Sequence, residues 1–178
     1  MHQSVIEFWF QENGPDQWFK KDPDFDQEII RRFSKLHVQA AKGELFSWRK
    51  TPQGTLAEIL LLDQFSRNMF RDTPQAFAFD NIALCLAQAA LSKGCNKQLS
   101  KEEQLFLFMP YMHSESALIH LEAVKLFTQL GIENALDFEY QHKEIIDRFG
   151  RYPHRNETLG RHSTPEEIEF LTQEGSSF

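Results

Sequence analysis

The chain has 178 residues, of which 41% are hydrophobic and 17 are Phe, so its length suits one domain with a large apolar core. A formal net charge of -7 disfavours a nucleic-acid-binding surface or an anionic-membrane surface, because the long-range field of the protein repels phosphate. Only two cysteines occur, so we expect no disulfide framework. The start of the chain lacks the basic residues of a signal peptide, and no apolar run is long enough to span a bilayer. We therefore expect a cytoplasmic protein.

Helix signals recur along the chain, and no stretch shows the sustained alternation that is typical of a strand. The predicted helices begin at capping boxes, N-caps or first-turn prolines, and several end at a glycine. The sequence therefore predicts a single all-α domain over residues 1–178 with about seven or eight helices. Their approximate ranges are 4–10, 22–42, 55–70, 73–93, 100–110, 115–130 and 135–149, with a last short helix from Thr164. The segment from Gly175 to Phe178 is expected to fray.

The helix predicted over residues 55–70 has apolar residues on every side, so we expect it at the centre of the fold. Asp63 and Arg67 fall on its most apolar arc, and Gln64 and Arg71 lie at the edge of that arc. Because an isolated buried ion is costly, charges at these positions must be paired or must face a cavity. We therefore expect Asp63 and Arg67 to be largely buried and hydrogen-bonded.

A second informative stretch is the loop Arg148–Arg161, which holds four of the nine arginines and no lysine in an acidic chain. Two glycines and a proline interrupt any long helix there, so the arginines are presented from turns. A planar guanidinium matches a carboxylate or a phosphate with two parallel hydrogen bonds. The loop is therefore typical either of an anion site or of arginines that pin helix ends to nearby carboxylates.

Three ordered motifs carry a resemblance to a known family. They are LLDQFSRN at Leu61–Asn68, MHSE at Met112–Glu115 and RFGRYPHRN at Arg148–Asn156. With these motifs, and from Val5 to Glu167, the chain resembles the bacterial family named domain of unknown function 924 over nearly its whole length. The resemblance implies an all-α, tetratricopeptide-like α-α superhelix in a single domain, and it supplies no reaction.

The polar residues of these motifs define a predicted pocket for a small anionic ligand, a phosphate or a carboxylate. The expected ligand-binding residues are Asp63, Gln64, Arg67, Asn68, Arg71, Arg151, His154, Arg155 and Asn156, with Arg161 as a further candidate. We expect Arg151 or Arg155 to contact the Asp63–Arg71 face of the central helix. The alternative is an internal ion network in which carboxylates neutralise the arginines. The carboxylates that would do so are Asp63, Asp80 and Glu115.

The histidines raise the question of metal or acid–base chemistry. A metal set drawn from His113, Glu115, His142 and His154 lacks the tight spacing of motifs such as H-E-x-x-H, so no metal is expected. Ser114 is interpreted as a helix N-cap, since no G-x-S-x-G elbow is present. No Walker A or dinucleotide motif occurs, and no cofactor is expected. If a reaction is catalysed, His113, His154 and Glu115 are the candidates for the general acid or base, but the sequence does not establish an enzyme.

Two classes of function stay open at this point. The leading hypothesis is a cytosolic helical protein that binds a small anion in a polar pocket. The rival is a helical-hairpin module that binds a peptide or protein partner in a groove, with the polar residues serving as a structural ion network. Converging arginines in a closed pocket favour the first class, and an exposed stripe of aromatic residues favours the second. Neither nucleic acid nor a membrane is an expected partner.

Overall fold

The computed structural model describes every residue from Met1 to Phe178 and contains helices, turns and loops but no strand. The predicted all-α class is therefore confirmed, whereas the tetratricopeptide-like superhelix stays a prediction. The ten α-helical segments are α1 (His2–Glu7), α2 (Pro15–Trp18), α3 (Pro23–Ala41), α4 (Pro52–Leu62), α5 (Gln64–Met69), α6 (Asp80–Ser92), α7 (Lys101–Met112), α8 (Ala117–Leu130), α9 (Glu133–Phe149) and α10 (Pro165–Phe170). None of them combines the length and the apolar character that crossing a membrane requires.

The helices exceed the expected seven or eight because α2 is a single turn and because the predicted central helix is divided at Asp63. Asp63 has φ -96° and ψ -67°, which interrupts the regular helical backbone between α4 and α5. The central helix also begins earlier than predicted. Thr51 is its N-cap, with the hydroxyl accepting a hydrogen bond from the Gly54 amide, and Pro52 occupies the first helical position. Thr55 is therefore a helix-interior residue, because the proline at position 52 already fixes a helical φ.

The chain forms two compact units, one of residues 1–71 and 75–110 and the other of residues 72–74 and 111–178. In the first unit, α4 packs against α1, α3, α5 and α6. Every residue of α4 from Gly54 to Leu62 is buried, so the prediction of a central helix is confirmed. That residues 1–178 form a single domain stays a prediction.

The first unit opens with a widened helical turn. After α1, residues Phe8–Glu12 form a π-helical turn, in which the backbone carbonyls are not all used by the following amides. The side-chain amide of Asn13 donates to the Phe8 carbonyl at 2.8 Å, and the Trp18 indole N–H donates to the Trp9 carbonyl at 2.8 Å. The turn thus directs the Trp9 and Trp18 rings, which stack with centroids 6.1 Å apart, into the aromatic core of this unit.

Several helix ends follow the predicted local signals. The Asp22 carboxylate caps α3 by accepting from two backbone amides, and reciprocal hydrogen bonds between Ser100 and Glu103 form the capping box of α7. Gly131 ends α8 with a left-handed φ of 70°, a conformation that glycine adopts without strain. The predicted end of α7 at residue 110 is too early, since the helix continues past Pro110 to Met112.

In the second unit, α8 and α9 pack against each other. Its apolar core includes Ile145, Ile146 and Tyr152, with Phe149 and Phe170 against them. Helical periodicity predicts that α9 has an apolar stripe of Phe138, Ile145, Ile146 and Phe149, with His142 on the same stripe. Ile145 and Ile146 are buried as predicted, whereas Phe138 is 52% exposed. The segment after α10 was expected to fray, but here Ser176 is buried and donates a hydrogen bond to the Leu171 carbonyl.

Candidate functional site

Most of the predicted site residues fall into two polar clusters, one in each compact unit, whereas Arg151 and Asn156 contact Glu167 in the second unit. The first, which we call the α5 network, lies in the first unit. Its members are Asp26, Asp63, Gln64, Arg67, Asn68, Arg71 and Asp80. The second, which we call the histidine–arginine cluster, lies in the second unit. Its members are His113, Glu115, His120, Glu139, His142, Tyr152, His154 and Arg155. The predicted convergence of the loop with the Asp63–Arg71 face stays a prediction.

Arg67 joins two carboxylates in the α5 network. Its Nη1 lies 3.2 Å from Oδ1 of Asp63 and 3.0 Å from Oδ1 of Asp80, and its Nη2 lies 2.9 Å from Oδ2 of Asp80. The Asp63 side chain is fully buried and also accepts a hydrogen bond from Gln64 at 2.5 Å. The expectation that Asp63 is buried and paired is confirmed, and Arg67 is less buried than expected, with 21% of its side chain exposed.

The remaining members of the α5 network gather on Asp26 of α3. Arg71 donates from Nε and Nη2 to the two oxygens of this carboxylate, at 2.8 and 2.7 Å. The Asn68 amide donates to Oδ1 of the same carboxylate at 2.7 Å. The network therefore ties α3 to α5 through charge-assisted hydrogen bonds, which are stronger than neutral ones.

Two arginines of the 148–161 loop also hold carboxylates with two hydrogen bonds each. Arg151 donates from Nε and Nη2 to Glu167 at 2.6 and 2.8 Å. Hydrogen bonds from Arg151, together with the Thr164 amide, outweigh the effect of burial and lower the pKa of Glu167 from 4.5 to about 2. Arg161 donates to Glu115 at 2.6 and 2.9 Å. The loop is thereby fastened to α10 and to the segment before α8.

Glu115 organises the loop backbone as well as Arg161. It accepts a hydrogen bond from the backbone amide of Tyr152 at 2.8 Å. Burial opposes ionisation of this carboxyl, but the hydrogen bonds from Arg161 and Tyr152 and the charge of Arg155 prevail and lower its pKa. Arg161 in turn donates to the side chain of Asn156 at 2.9 Å. Because Asn156 is buried, its side-chain oxygen is a fixed acceptor that orients the Arg161 guanidinium.

Arg155 is the buried arginine of the loop, with 7% of its surface exposed. Its Nη1 donates to the His113 carbonyl at 3.1 Å, and its guanidinium carbon lies 4.5 Å from the centre of the Tyr152 ring. A guanidinium over the face of a desolvated aromatic ring is a favourable cation–π arrangement. Arg155 is thus held in place by a carbonyl and a ring face.

A fully buried pair, His120 and Glu139, lies beneath Tyr152. His120 Nε2 lies 2.8 Å from the Ser114 carbonyl, so this nitrogen carries a proton and donates it. Nδ1 lies 2.7 Å from Oε1 of Glu139, and a second proton is held between these two atoms. Burial raises the pKa of Glu139 against the opposing effect of His120, and Oε2 of Glu139 has no hydrogen-bond partner. Ser114 therefore contributes its carbonyl here, and Ser116, not Ser114, precedes α8 as N-cap.

His142 is a buried imidazole on α9, as its place on an apolar stripe predicted. Its Nδ1 donates to the Phe138 carbonyl at 2.7 Å. Burial, together with the charges of His113, His120 and Arg155, lowers the pKa of His142 to about 3. The ring is therefore neutral at physiological pH.

The histidines do not group into a metal centre. No set of three or more His, Cys, Asp and Glu side chains has the arrangement that could hold a metal ion. Both cysteines are free thiols, with Cys85 exposed and Cys95 buried. A cavity of about 240 Å³ lies elsewhere in the second unit, between α9 and the segment that follows α10, and Ile145, Phe149 and Phe170 supply its apolar wall.

Sequence reasoning missed three of the buried polar residues, and helical periodicity is the signal that could have found them. The three residues are Asp26, His120 and Glu139. In each case the residues three and seven positions later in the same helix are buried. For His120 these residues are Ala123 and Phe127. A polar residue in such a position faces the core and requires a partner.

Comparisons with known proteins agree with the fold and assign no activity. The model of a family described as bacterial protein of unknown function (DUF924) matches residues 5–175. A solved structure, described as a protein of unknown function from Agrobacterium tumefaciens, shares 38% sequence identity with a TM-score of 0.91, and the match covers 96% of each chain. Among curated proteins, no similar sequence was found.

Proposed function

Because the chain belongs to the bacterial family of unknown function 924, whose description assigns no reaction, we propose a function from its own geometry: binding of a small phosphate or carboxylate beside Arg155 and His154. The observation that supports this proposal most directly is the burial of the charged Arg155 side chain, which is only 7% exposed. This arginine, His113 and His120 all act electrostatically on His142 and disfavour its protonation. A small anion is the ligand that a buried cation attracts.

Arg155 is the natural recognition group among the predicted arginines because it is the buried one. Four others, Arg67, Arg71, Arg151 and Arg161, are only partly buried, with 21–29% of each side chain exposed, and each forms paired hydrogen bonds with a carboxylate. A guanidinium removed from water interacts more strongly with an anion than an exposed one does, because water screens it less. His154 precedes Arg155 in the same short helical turn, Pro153–Arg155.

The candidates for proton transfer keep the same status within this proposal. His154 neighbours Arg155 in sequence, His113 contributes the carbonyl that holds Arg155, and Glu115 is engaged by Arg161. Histidine titrates near neutral pH and is suited to acid–base work. We assign no reaction to these groups.

The experiment is a titration with inorganic phosphate and with acetate, followed by calorimetry and by thermal unfolding. Arg155→Ala should weaken binding at least about tenfold, as expected for the loss of a charge-assisted contact. Arg148→Ala is the matched control, because Arg148 belongs to the same loop but forms an exposed pair with Glu166. If neither anion stabilises the wild type more than the Arg155→Ala variant, the anion-binding proposal is wrong.

A second candidate function, protein–protein interaction, has its own supporting observation. The second unit exposes Leu118 and Leu121 on α8 and Phe138 and Tyr140 on α9, each more than half exposed. Contiguous exposed apolar patches mark interaction surfaces, and Leu118 and Leu121 lie three residues apart on one face of α8. Light scattering of the wild type and of Leu118→Glu over a concentration series tests self-association through this face of α8. Identical masses at all concentrations would remove that form of the candidate.

A further inference from the structure

The ring of Phe178 occupies a position that its own sequence does not predict. It stacks on the His142 imidazole, with ring centroids 3.8 Å apart and the planes inclined by 25°. Its centroid also lies 6.1 Å from that of His154, in an edge-on arrangement. Half of the Phe178 surface remains exposed, so one face of the ring is covered by the protein while much of the side chain faces solvent.

The surface under Phe178 has the character of a slot for a planar ring. His142 is neutral at physiological pH, and burial is the main cause of its low pKa. A neutral imidazole face stacks on an aromatic ring, and it offers no charge that would select for an ion instead. Tyr152 stands edge-on to His142 with centroids 5.7 Å apart, and His154 lies beside Tyr152 at 5.6 Å. The rings of His142 and His154 therefore border the place where Phe178 lies, and Tyr152 packs against both of them.

The slot adjoins the proposed anion site. Tyr152 contacts His142 on one side, and its ring face carries the Arg155 guanidinium at 4.5 Å. His154 belongs to both places, since it precedes Arg155 in the chain and approaches the Phe178 ring. A ligand that combines an aromatic ring with an anionic group can therefore place its ring on His142 and its charge toward Arg155.

We propose that the Phe178 ring is an intramolecular occupant of an aryl-binding slot formed by His142, Tyr152 and His154, and that the ligand of this region is an aromatic carboxylate or an aryl phosphate whose ring displaces Phe178. The anionic part of this inference rests on the proposed function, whereas the slot itself does not. Because Phe178 competes with the ligand ring, removal of its side chain strengthens binding of an aromatic ligand and leaves a non-aromatic anion unaffected.

The test compares the wild type, Phe178→Ala and Phe138→Ala in titrations with five probes. Benzoate and phenyl phosphate carry both a ring and a charge, acetate and inorganic phosphate carry only the charge, and benzyl alcohol supplies a ring without charge. Phe138 is a matched control because it is 52% exposed, close to the 50% of Phe178, and lies on the helix that carries His142. Binding is followed through the imidazole proton signals of His142 and His154 by NMR.

Phe178→Ala should bind benzoate, phenyl phosphate and benzyl alcohol about three- to tenfold more tightly than the wild type, the range expected for removal of one aromatic stacking competitor. Phe138→Ala should match the wild type with every probe. Equal affinities of Phe178→Ala and the wild type for the ring-bearing probes would overturn the proposal. A gain of the same size with acetate would also overturn it, because the segment would then exclude any ligand.

The two proposals fail in different ways. If benzyl alcohol shows the gain in Phe178→Ala while no anion binds to any variant, the aryl slot stands and the anion-binding function is wrong. If acetate and phosphate bind in an Arg155-dependent way while the Phe178→Ala gain is missing, the anion site stands and the aryl slot is wrong.

Discussion

The pair of Arg49 and Glu58 allows the cost of a stranded internal charge to be measured in this protein. The Glu58 side chain is fully buried within α4, and Arg49 reaches it from the preceding 3-10 turn with two hydrogen bonds, Nε to Oε2 at 2.7 Å and Nη2 to Oε1 at 2.6 Å. Arg49→Met keeps most of the apolar stem and removes both donors. It leaves a carboxylate inside the first unit without its cation.

The magnitude follows from what is left behind. Removal of one partner of a buried ion pair costs about 3–5 kcal/mol, and we take the lower end, about 3 kcal/mol, because a third of the Arg49 side chain is exposed. For a chain of this length that loss corresponds to a decrease of roughly 6–12 °C in the melting temperature. Replacing both partners, in Arg49→Met/Glu58→Leu, should cost less than the single substitution, because no buried charge is then unpaired.

The assay is equilibrium unfolding in urea, followed by far-ultraviolet circular dichroism. Arg31→Met is the matched control: Arg31 forms the same two-hydrogen-bond contact with Glu28, but 70% of its side chain is exposed. It should leave the free energy of unfolding nearly unchanged, because water screens an exposed pair. A loss below 1 kcal/mol in Arg49→Met, or a double variant less stable than the single one, would refute the reasoning that burial sets the cost.

Three further predictions concern other parts of the chain. The pKa of Glu167 is lowered from 4.5 to about 2, so its pair with Arg151 stabilises the fold fully above pH 4.5. This contribution is lost as the pH falls toward 2. Glu167→Gln should therefore reduce the loss of stability that the wild type shows in acid. A Cβ added at Gly54 would lie 2.2 Å from the Trp48 carbonyl oxygen, so Gly54→Ala should cost about 3 kcal/mol or more in urea unfolding, and a neutral effect would contradict this geometry. Trp18→Phe keeps an aromatic ring but removes the indole donor, and it should cost about 1–3 kcal/mol, with a smaller loss excluding a structural role for that hydrogen bond.

Local signals in the sequence predicted many helix ends but not the partners of the charged side chains. The caps at Asp22, Ser100 and Thr164 are correct because the groups that form each cap lie within a few residues. Glu58 shows the opposite case. In the sequence, Thr55 and Glu58 have the spacing of a capping box. The structure instead pairs Glu58 with Arg49, which lies outside the helix. The direction of the preceding turn decides that contact, and short-range patterns do not encode it.

The candidate site shows the same division. The sequence identified the buried Asp63 and its partner Arg67 because both positions follow from the helical period of α4 and α5, although Arg67 is less buried than expected. It did not predict that Glu167 holds Arg151 or that Phe178 covers His142, since each depends on how α9, α10 and the loops fold back. Charge and periodicity indicate which side chains need a partner. Tertiary packing determines which partner they receive.

The π-helical turn at Phe8–Glu12 has a consequence for how related sequences are aligned. Such a turn contains one residue more than the α-helical turn it replaces, and the effect of the additional residue stays within a short stretch. An insertion into a regular α-helix would instead rotate all later side chains by about 100°. A relative one residue shorter here can therefore keep the same core-facing positions on both sides by forming an ordinary turn. That turn would use the carbonyl to which Trp18 now donates. A one-residue gap at Phe8–Glu12 and loss of the tryptophan at position 18 should therefore occur together among relatives.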